Sequence, residues 1–273
     1  MRTACIAGIV LLSATLSRAD GGSGVQNPTP ANIHSEVVEY VCQGDTLVGN
    51  LAWDGSVEGK RPVVLVVHEW WGNNDYSRRR AEMLAEAGYL AMAVDLFGKG
   101  HQAQDPAGAM ALTKFAYTRP ELMTARMVAA MELATADSLA DREQVAAIGY
   151  CFGGGVLLEM ARGGMDLDAI ASFHGGLGTE KPAAAGSIKP AILVLHGEAD
   201  PMVPAEEAEA FRKEMETAGA RLEFVGYTGA THAFSNPKAT ETGKTFDIPI
   251  AYNEEADADS WKRLLEFLKT ELK

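Results

Sequence analysis

From Glu36 onward the chain alternates between two kinds of hydrophobic pattern. The first is a short, unbroken apolar run, seen at Pro62 to Val67 (PVVLVV), Tyr89 to Val94, Val145 to Gly149, Ala169 to Phe173 and Ala191 to Leu195. Continuous β-branched and apolar runs of this length are expected of parallel strands buried on both faces. The second pattern repeats with helical spacing. It predicts helices over roughly Tyr76 to Ala87 (closed by Gly88), Pro106 to Tyr117, Pro120 to Ala136, Gly153 to Arg162, Ala205 to Ala218 and Ser260 to Leu272. In the third of these, Leu122, Met123, Met127, Ala130, Met131 and Ala134 share one stripe, which predicts core packing and not a cofactor contact. Val37 to Cys42 and Leu47 to Trp53 flank Gln43-Gly44-Asp45 and predict a hairpin, and Leu222 to Tyr227 predicts a late strand. Repeated strand–helix–strand units imply right-handed crossovers. The expected fold class is therefore α/β, a mostly parallel central sheet with helices on both faces and an N-terminal antiparallel hairpin. Residues 36–273 show no internal repeat and no linker, so they are expected to form a single domain.

The first residues follow another logic. Arg2 gives a positive start, Ala4 to Leu16 is almost unbroken apolar sequence, and Ser17-Arg18-Ala19 supplies small residues where a signal peptidase reads. Residues 1–19 are expected to be a secretory signal, with an uncleaved anchor as the alternative. The run is short for a membrane span, which needs about 20 apolar residues. Residues 20–35, rich in Gly, Ser, Asn and Pro through Ala31, are expected to be a flexible leader. The protein should then be exported to a periplasmic or extracellular compartment. With 24 Lys and Arg against 37 Asp and Glu, the chain carries a formal charge of −13. Removing residues 1–19 takes Arg2 and Arg18 and no acid, leaving 22 bases against 37 acids, or −15. Such a surface repels phosphate backbones and anionic lipid, so neither nucleic acid nor membrane is an expected partner after signal cleavage, and a monomer is expected.

The chemistry-bearing residues fall at ends of predicted strands. Gly149-Tyr150-Cys151-Phe152-Gly153 follows an apolar strand and precedes a helix, the G-x-S-x-G elbow with Cys in place of Ser. The turn is tight enough that side chains two before and two after the nucleophile would strike neighbouring backbone. The helix N-terminus beyond it favours thiolate over thiol. A glycine-rich helix start around a structural Cys is the bland alternative. Ile192 to Leu195 runs into His196-Gly197-Glu198-Ala199-Asp200, and Gly229-Ala230-Thr231-His232 places a histidine on a later loop. Nucleophile, acid and histidine thus occur in the order this class of fold requires.

With His68-Glu69-Trp70-Trp71-Gly72-Asn73 after the third strand and Asp95-Leu96-Phe97 after the fourth, the chain from residue 36 resembles the dienelactone hydrolase family. The resemblance implies an α/β-hydrolase fold and a carboxylic ester or lactone hydrolase with a small-molecule substrate. It implies Cys151 as nucleophile, His232 and Asp200 as its partners, and Glu69 as an accessory carboxylate near the cysteine. Pairing of Glu69 with Arg78, Arg79 or Arg80 is the alternative for that residue. An acyl-enzyme would form on Cys151, its oxyanion held by the backbone N–H groups of Phe152 and Trp70. Family members acting on dienelactone hold the substrate carboxylate with two arginines, where this chain has Gly98-Lys99 and Asn236. Dienelactone itself is therefore not the expected substrate. Trp71, Phe97, Lys99, Phe234 and Asn236 are candidate pocket residues. His174 is expected to be structural, and His34, His101 and His196 have no partner pattern. No nucleotide-binding glycine motif or metal-ligand spacing occurs, so no cofactor and no metal is expected. Two rival readings stay open: an α/β-hydrolase fold without catalysis serving as a binding module, and a hydrolase of thioester or amide bonds. A Cys42–Cys151 disulfide is a further alternative, disfavoured because an elbow cysteine sits far from an edge strand.

Overall fold

The computed structural model describes residues 32–273, so the predicted signal and the leader through Ala31 lie outside the described residues. The strands are β1 (Ile33–Cys42), β2 (Asp45–Asp54), β3 (Arg61–Val67), β4 (Leu90–Val94), β5 (Ala140–Tyr150), β6 (Ala169–Phe173), β7 (Ala191–Gly197) and β8 (Leu222–Tyr227). They form one sheet in the order β1-β2-β4-β3-β5-β6-β7-β8. The β1–β2 hairpin and the β2–β4 pairing are antiparallel, and every pairing from β4 to β8 is parallel.

The apolar runs are continuous because each strand serves two cores. In β3, Val63, Leu65 and Val67 point into one cluster while Val64 and Val66 point into the other. The period of two recurs in β4, where Leu90, Met92 and Val94 share the first cluster and Ala91 and Ala93 the second. Helices α2 (Pro106–Tyr117), α3 (Pro120–Ala136), α4 (Phe152–Arg162) and α5 (Ala205–Ala218) cover the first face. Helices α1 (Asp75–Glu86) and α7 (Glu254–Glu271) cover the second. The methionine stripe of α3 is core: Met123 and Met127 are buried, and Leu122 and Met131 pack against the same cluster.

Three boundaries differ from expectation by three or more positions, each for a physical reason, and one helix is additional. Strand β1 begins at Ile33, ahead of the expected Val37, because Ile33 to Ser35 pair with Ala52 to Asp54. This strand lies at the sheet edge with much of its surface in solvent, so its polar residues read as leader. Strand β5 extends back to Ala140 through the polar stretch Asp141 to Gln144, pairing with Arg61 and Pro62 across a register shift. Helix α7 starts six positions earlier than Ser260, at Glu254. Asn253 caps it by accepting from the Ala256 N–H, and Glu254, Glu255 and Asp257 lie at its positive end. Helix α6 (Ala239–Phe246) lies outside the expected elements. Among the described residues no helix is long and apolar enough to cross a membrane.

Candidate active site

Cys151 sits between the end of β5 and the start of α4, with φ 52° and ψ −114°, a conformation L-residues rarely adopt. The neighbouring glycines explain how the chain tolerates it. A Cβ on Gly149 would lie 2.4 Å from the carbonyl of Gly153, and one on Gly153 would lie 2.5 Å from the Val67 oxygen. Two acceptors hold the cysteine's own N–H: the Phe173 oxygen at 3.0 Å and Nδ1 of His174 at 3.2 Å. His174 is buried and engages Ser235 Oγ through Nε2 at 2.8 Å. Burial, then the charges of His232 and Arg80, hold its pKa well below the usual value. A neutral ring accepting at Nδ1 and donating at Nε2 satisfies both contacts, as expected of a structural histidine.

His232 Nδ1 lies 2.7 Å from Asp200 Oδ2. The Asp200 side chain is wholly enclosed, and its other oxygen accepts the Met202 N–H at 2.8 Å. His232 Nε2 is buried without an acceptor in good hydrogen-bonding geometry, yet Cys151 acts on the ring. Burial alone would lower the histidine pKa. The negative charge of Cys151 and the Asp200 bond outweigh that and raise it to about 10. The loop carrying His232 is tied to the chain that follows α6 by a bridge to Ile250 and an Ala251 N–H to His232 carbonyl bond.

Cys151 and His232 border a cavity of about 130 Å³ whose wall is mostly apolar. Glu69, Trp70, Trp71, Cys151, Met202, His232 and Asn236 line it, with Ala239 and Thr242 of α6 and the 248–250 segment. Glu69 is buried, accepts from the Asn236 amide at 2.8 Å, and makes no ion pair with Arg78, Arg79 or Arg80. Burial pushes its pKa up to about 7, against the pull of Asn236, His232 and Arg80. A second cavity of about 640 Å³ shares Trp71, Asn236 and Thr242 with the first.

The structure thus brings together Cys151, His232, Asp200, Glu69, Trp70, Trp71 and Asn236. Phe152 opens α4, so its N–H has no acceptor within the helix and is free to serve a ligand near Cys151. Three expected pocket residues lie elsewhere. Lys99 is exposed and paired with Glu39 at 2.6 Å, because the positive-φ turn at Gly98 carries the chain outward to the hairpin. Phe97 is buried behind the elbow, its ring against His68 and Phe152. Phe234 is fully buried under His174 and Tyr227 because the loop turns at Ala233, which has φ 57°. Met202 and the α6 and 248–250 walls escaped the sequence reading. The α6 stretch is short and rich in Thr and Gly, so its apolar positions, Ala239 and Phe246, are too few to announce a helix, and the apolar Met202 just past Asp200-Pro201 offers a signal of its own. Cys42, fully buried at the end of β1, is not bridged to Cys151.

A strand-to-helix elbow at the centre of a mostly parallel sheet, with an acid after a later strand and a histidine on the next loop, defines an α/β hydrolase. The comparisons narrow this. The dienelactone hydrolase family model matches residues 49–272, and the chain belongs to that family. It is similar in structure to a dienelactone hydrolase-like promiscuous phosphotriesterase from metagenomic libraries. That likeness has a TM-score of 0.82 and 34% identity, and covers 89% of this chain and all of that one. A dienelactone hydrolase structure from Klebsiella pneumoniae, provisionally so named, matches with TM-score 0.74 and 25% identity over 87% of this chain and 98% of its own. In sequence, a protein of Escherichia coli (strain K12), provisionally named a carboxymethylenebutenolidase, is 27% identical over 261 residues, 90% of each chain.

Proposed function

We propose that this hydrolase cleaves carboxylic esters or lactones of small molecules, with Cys151 as nucleophile. One observation carries the reading. His232, held by Asp200 at 2.7 Å, and the strained cysteine of the elbow border the same cavity.

The chemistry then follows from the groups present. With the proton held on His232, the sulfur forms a bond to the carbonyl carbon as the carbonyl π pair moves onto oxygen. The N–H groups of Phe152 and Trp70 receive that oxygen. Its electrons return to re-form the carbonyl as the C–O bond breaks, and the imidazolium gives its proton to the departing oxygen. Water, deprotonated by His232, attacks the thioester carbon. The sulfur leaves, and the acid product and free enzyme follow. Asp200 holds the histidine tautomer that presents Nε2 to the sulfur and steadies the imidazolium. Likeness to a promiscuous phosphotriesterase adds uncharged phosphotriesters to the substrates to be assayed beside esters, thioesters and amides.

The test compares wild type and Cys151→Ala on 4-nitrophenyl esters, with intact-mass detection of the acylated protein. The expected results are a loss of at least about a thousandfold in kcat and an adduct on Cys151. Wild-type turnover in the variant would overturn the assignment. Folded protein that forms no adduct with any ester would favour the binding-module reading.

A further inference from the structure

We infer that the cavity beside Cys151 accepts uncharged acyl groups and rejects those bearing a carboxylate, with Asn236 and Glu69 setting the preference. This deepens the proposed hydrolase reading and rests on it.

No lysine or arginine is among the described residues that line the cavity. Its ionisable members are Glu69, Cys151 and His232. His232 is the one potential cation, and it is already engaged by Asp200 on one side and Cys151 on the other. The bases of the larger cavity, Arg79, Arg80 and Lys238, do not line this one. Arg80, which lines only the larger cavity, is nearly enclosed and binds the Asp257 carboxylate and the Ser235 carbonyl between the rings of Tyr76 and Trp261. Lys99 is at the surface on Glu39.

An acyl group ending in a carboxylate would therefore leave water for an apolar wall built from Trp70, Trp71, Met202 and Ile250. It would find no counter-charge there, and it would face Glu69. Burying an unpaired anion is among the most unfavourable steps in recognition. An alkyl or other neutral acyl group loses nothing comparable. At about 130 Å³ the cavity is on the scale of the roughly 150 Å³ apolar cavity that holds benzene in another protein, so the acyl group is short. Burial holding the Glu69 carboxyl up near neutral pH reports the same environment, one that disfavours negative charge.

Asn236 is the point of control. Its amide donates to Glu69 and it borders both cavities, so a longer side chain has the larger cavity to extend into. The test measures kcat/KM for 4-nitrophenyl hexanoate and for the 4-nitrophenyl monoester of adipic acid, whose acyl chains differ by a terminal carboxylate. Each rate is corrected for the spontaneous reaction and for any turnover in Cys151→Ala. Wild type should favour the hexanoate by at least about tenfold. Asn236→Arg, which supplies a cation, should raise the adipate rate and shrink that ratio several-fold, and Glu69→Gln should shrink it by removing the opposing carboxylate. Equal Cys151-dependent rates on the two esters in wild type would overturn the inference and leave the hydrolase reading standing. A wild-type ratio retained in both folded variants would overturn the role given to Asn236 and Glu69. Absence of a Cys151 adduct with either ester would instead remove the hydrolase reading itself.

Discussion

Replacing Glu69 with Gln should make the protein more stable, increasingly so as pH rises from 4.5 to about 7 and fully above that. Glu69 is a buried carboxyl whose pKa rises from 4.5 to about 7, chiefly because burial penalises the charged form. Below about pH 4.5 the group is protonated whether the chain is folded or not, so it costs nothing. Between 4.5 and 7 the unfolded chain has released the proton and the native state still holds it, so stability falls as pH rises through that window. Above 7 both states are ionised and the full penalty applies. At 1.36 kcal/mol per pH unit, the interval from 4.5 to about 7 amounts to about 3 kcal/mol. That figure already includes the attraction of His232 and Arg80 for the carboxylate. Gln reproduces the neutral form and keeps an oxygen to accept from Asn236. Urea unfolding of wild type and Glu69→Gln at pH 5 and pH 8 gives the test. The stability difference between the proteins should shift by about 2 to 3 kcal/mol in favour of the variant at the higher pH. A difference that does not change between the two pH values would refute the argument, whatever its absolute size.

Two further predictions concern the scaffold of the site. Gly149→Ala or Gly153→Ala drives a methyl group to within 2.4 or 2.5 Å of backbone atoms, so each should cost several kcal/mol and abolish alkylation of Cys151 by iodoacetamide at the wild-type rate. Gly176→Ala, whose added carbon meets nothing within 4 Å, is the control and should leave the melting temperature within about two degrees. Arg80→Met strands the mostly buried Asp257 and should destabilise by about 3 kcal/mol in urea unfolding. The double variant with Asp257→Asn should recover a good part of that, and equal losses in single and double variants would show that the pair itself is not the cause.

Much of this molecule is legible in the sequence where one physical requirement dominates. Val63 to Val67 must be apolar at every position because both faces of β3 are covered, and nothing but a buried strand asks for that. Gly149 and Gly153 announce the elbow because backbone occupies the space a Cβ would need. Legibility fails where a residue's role depends on what the chain does afterwards. Phe97, Lys99 and Phe234 stand beside site residues in sequence, yet the turns at Gly98 and Ala233 send them to the core or the surface. Residues 140–144 and 254–259 are polar and were not assigned to their strand and helix, although Asn253 followed by acids is a readable helix start. Helix α6 lines the cavity through Ala239 and Thr242, and at eight residues it is too short for its amphipathic pattern to stand out in the sequence.

The bridge between His232 and Ile250 has a consequence for how this site can change. The segment that bounds the cavity beside Cys151 and the loop that carries the histidine are bonded main chain to main chain, through Ala251 as well. Side chains at positions 248–250 can be exchanged without moving the histidine, because the bonds run through the backbone. Insertion or deletion in the same stretch would drag the imidazole away from the sulfur. Variants of this protein, natural or engineered, can therefore reshape the cavity by substitution along this wall, while its length is held constant by the His232–Asp200 pair on the other side of it.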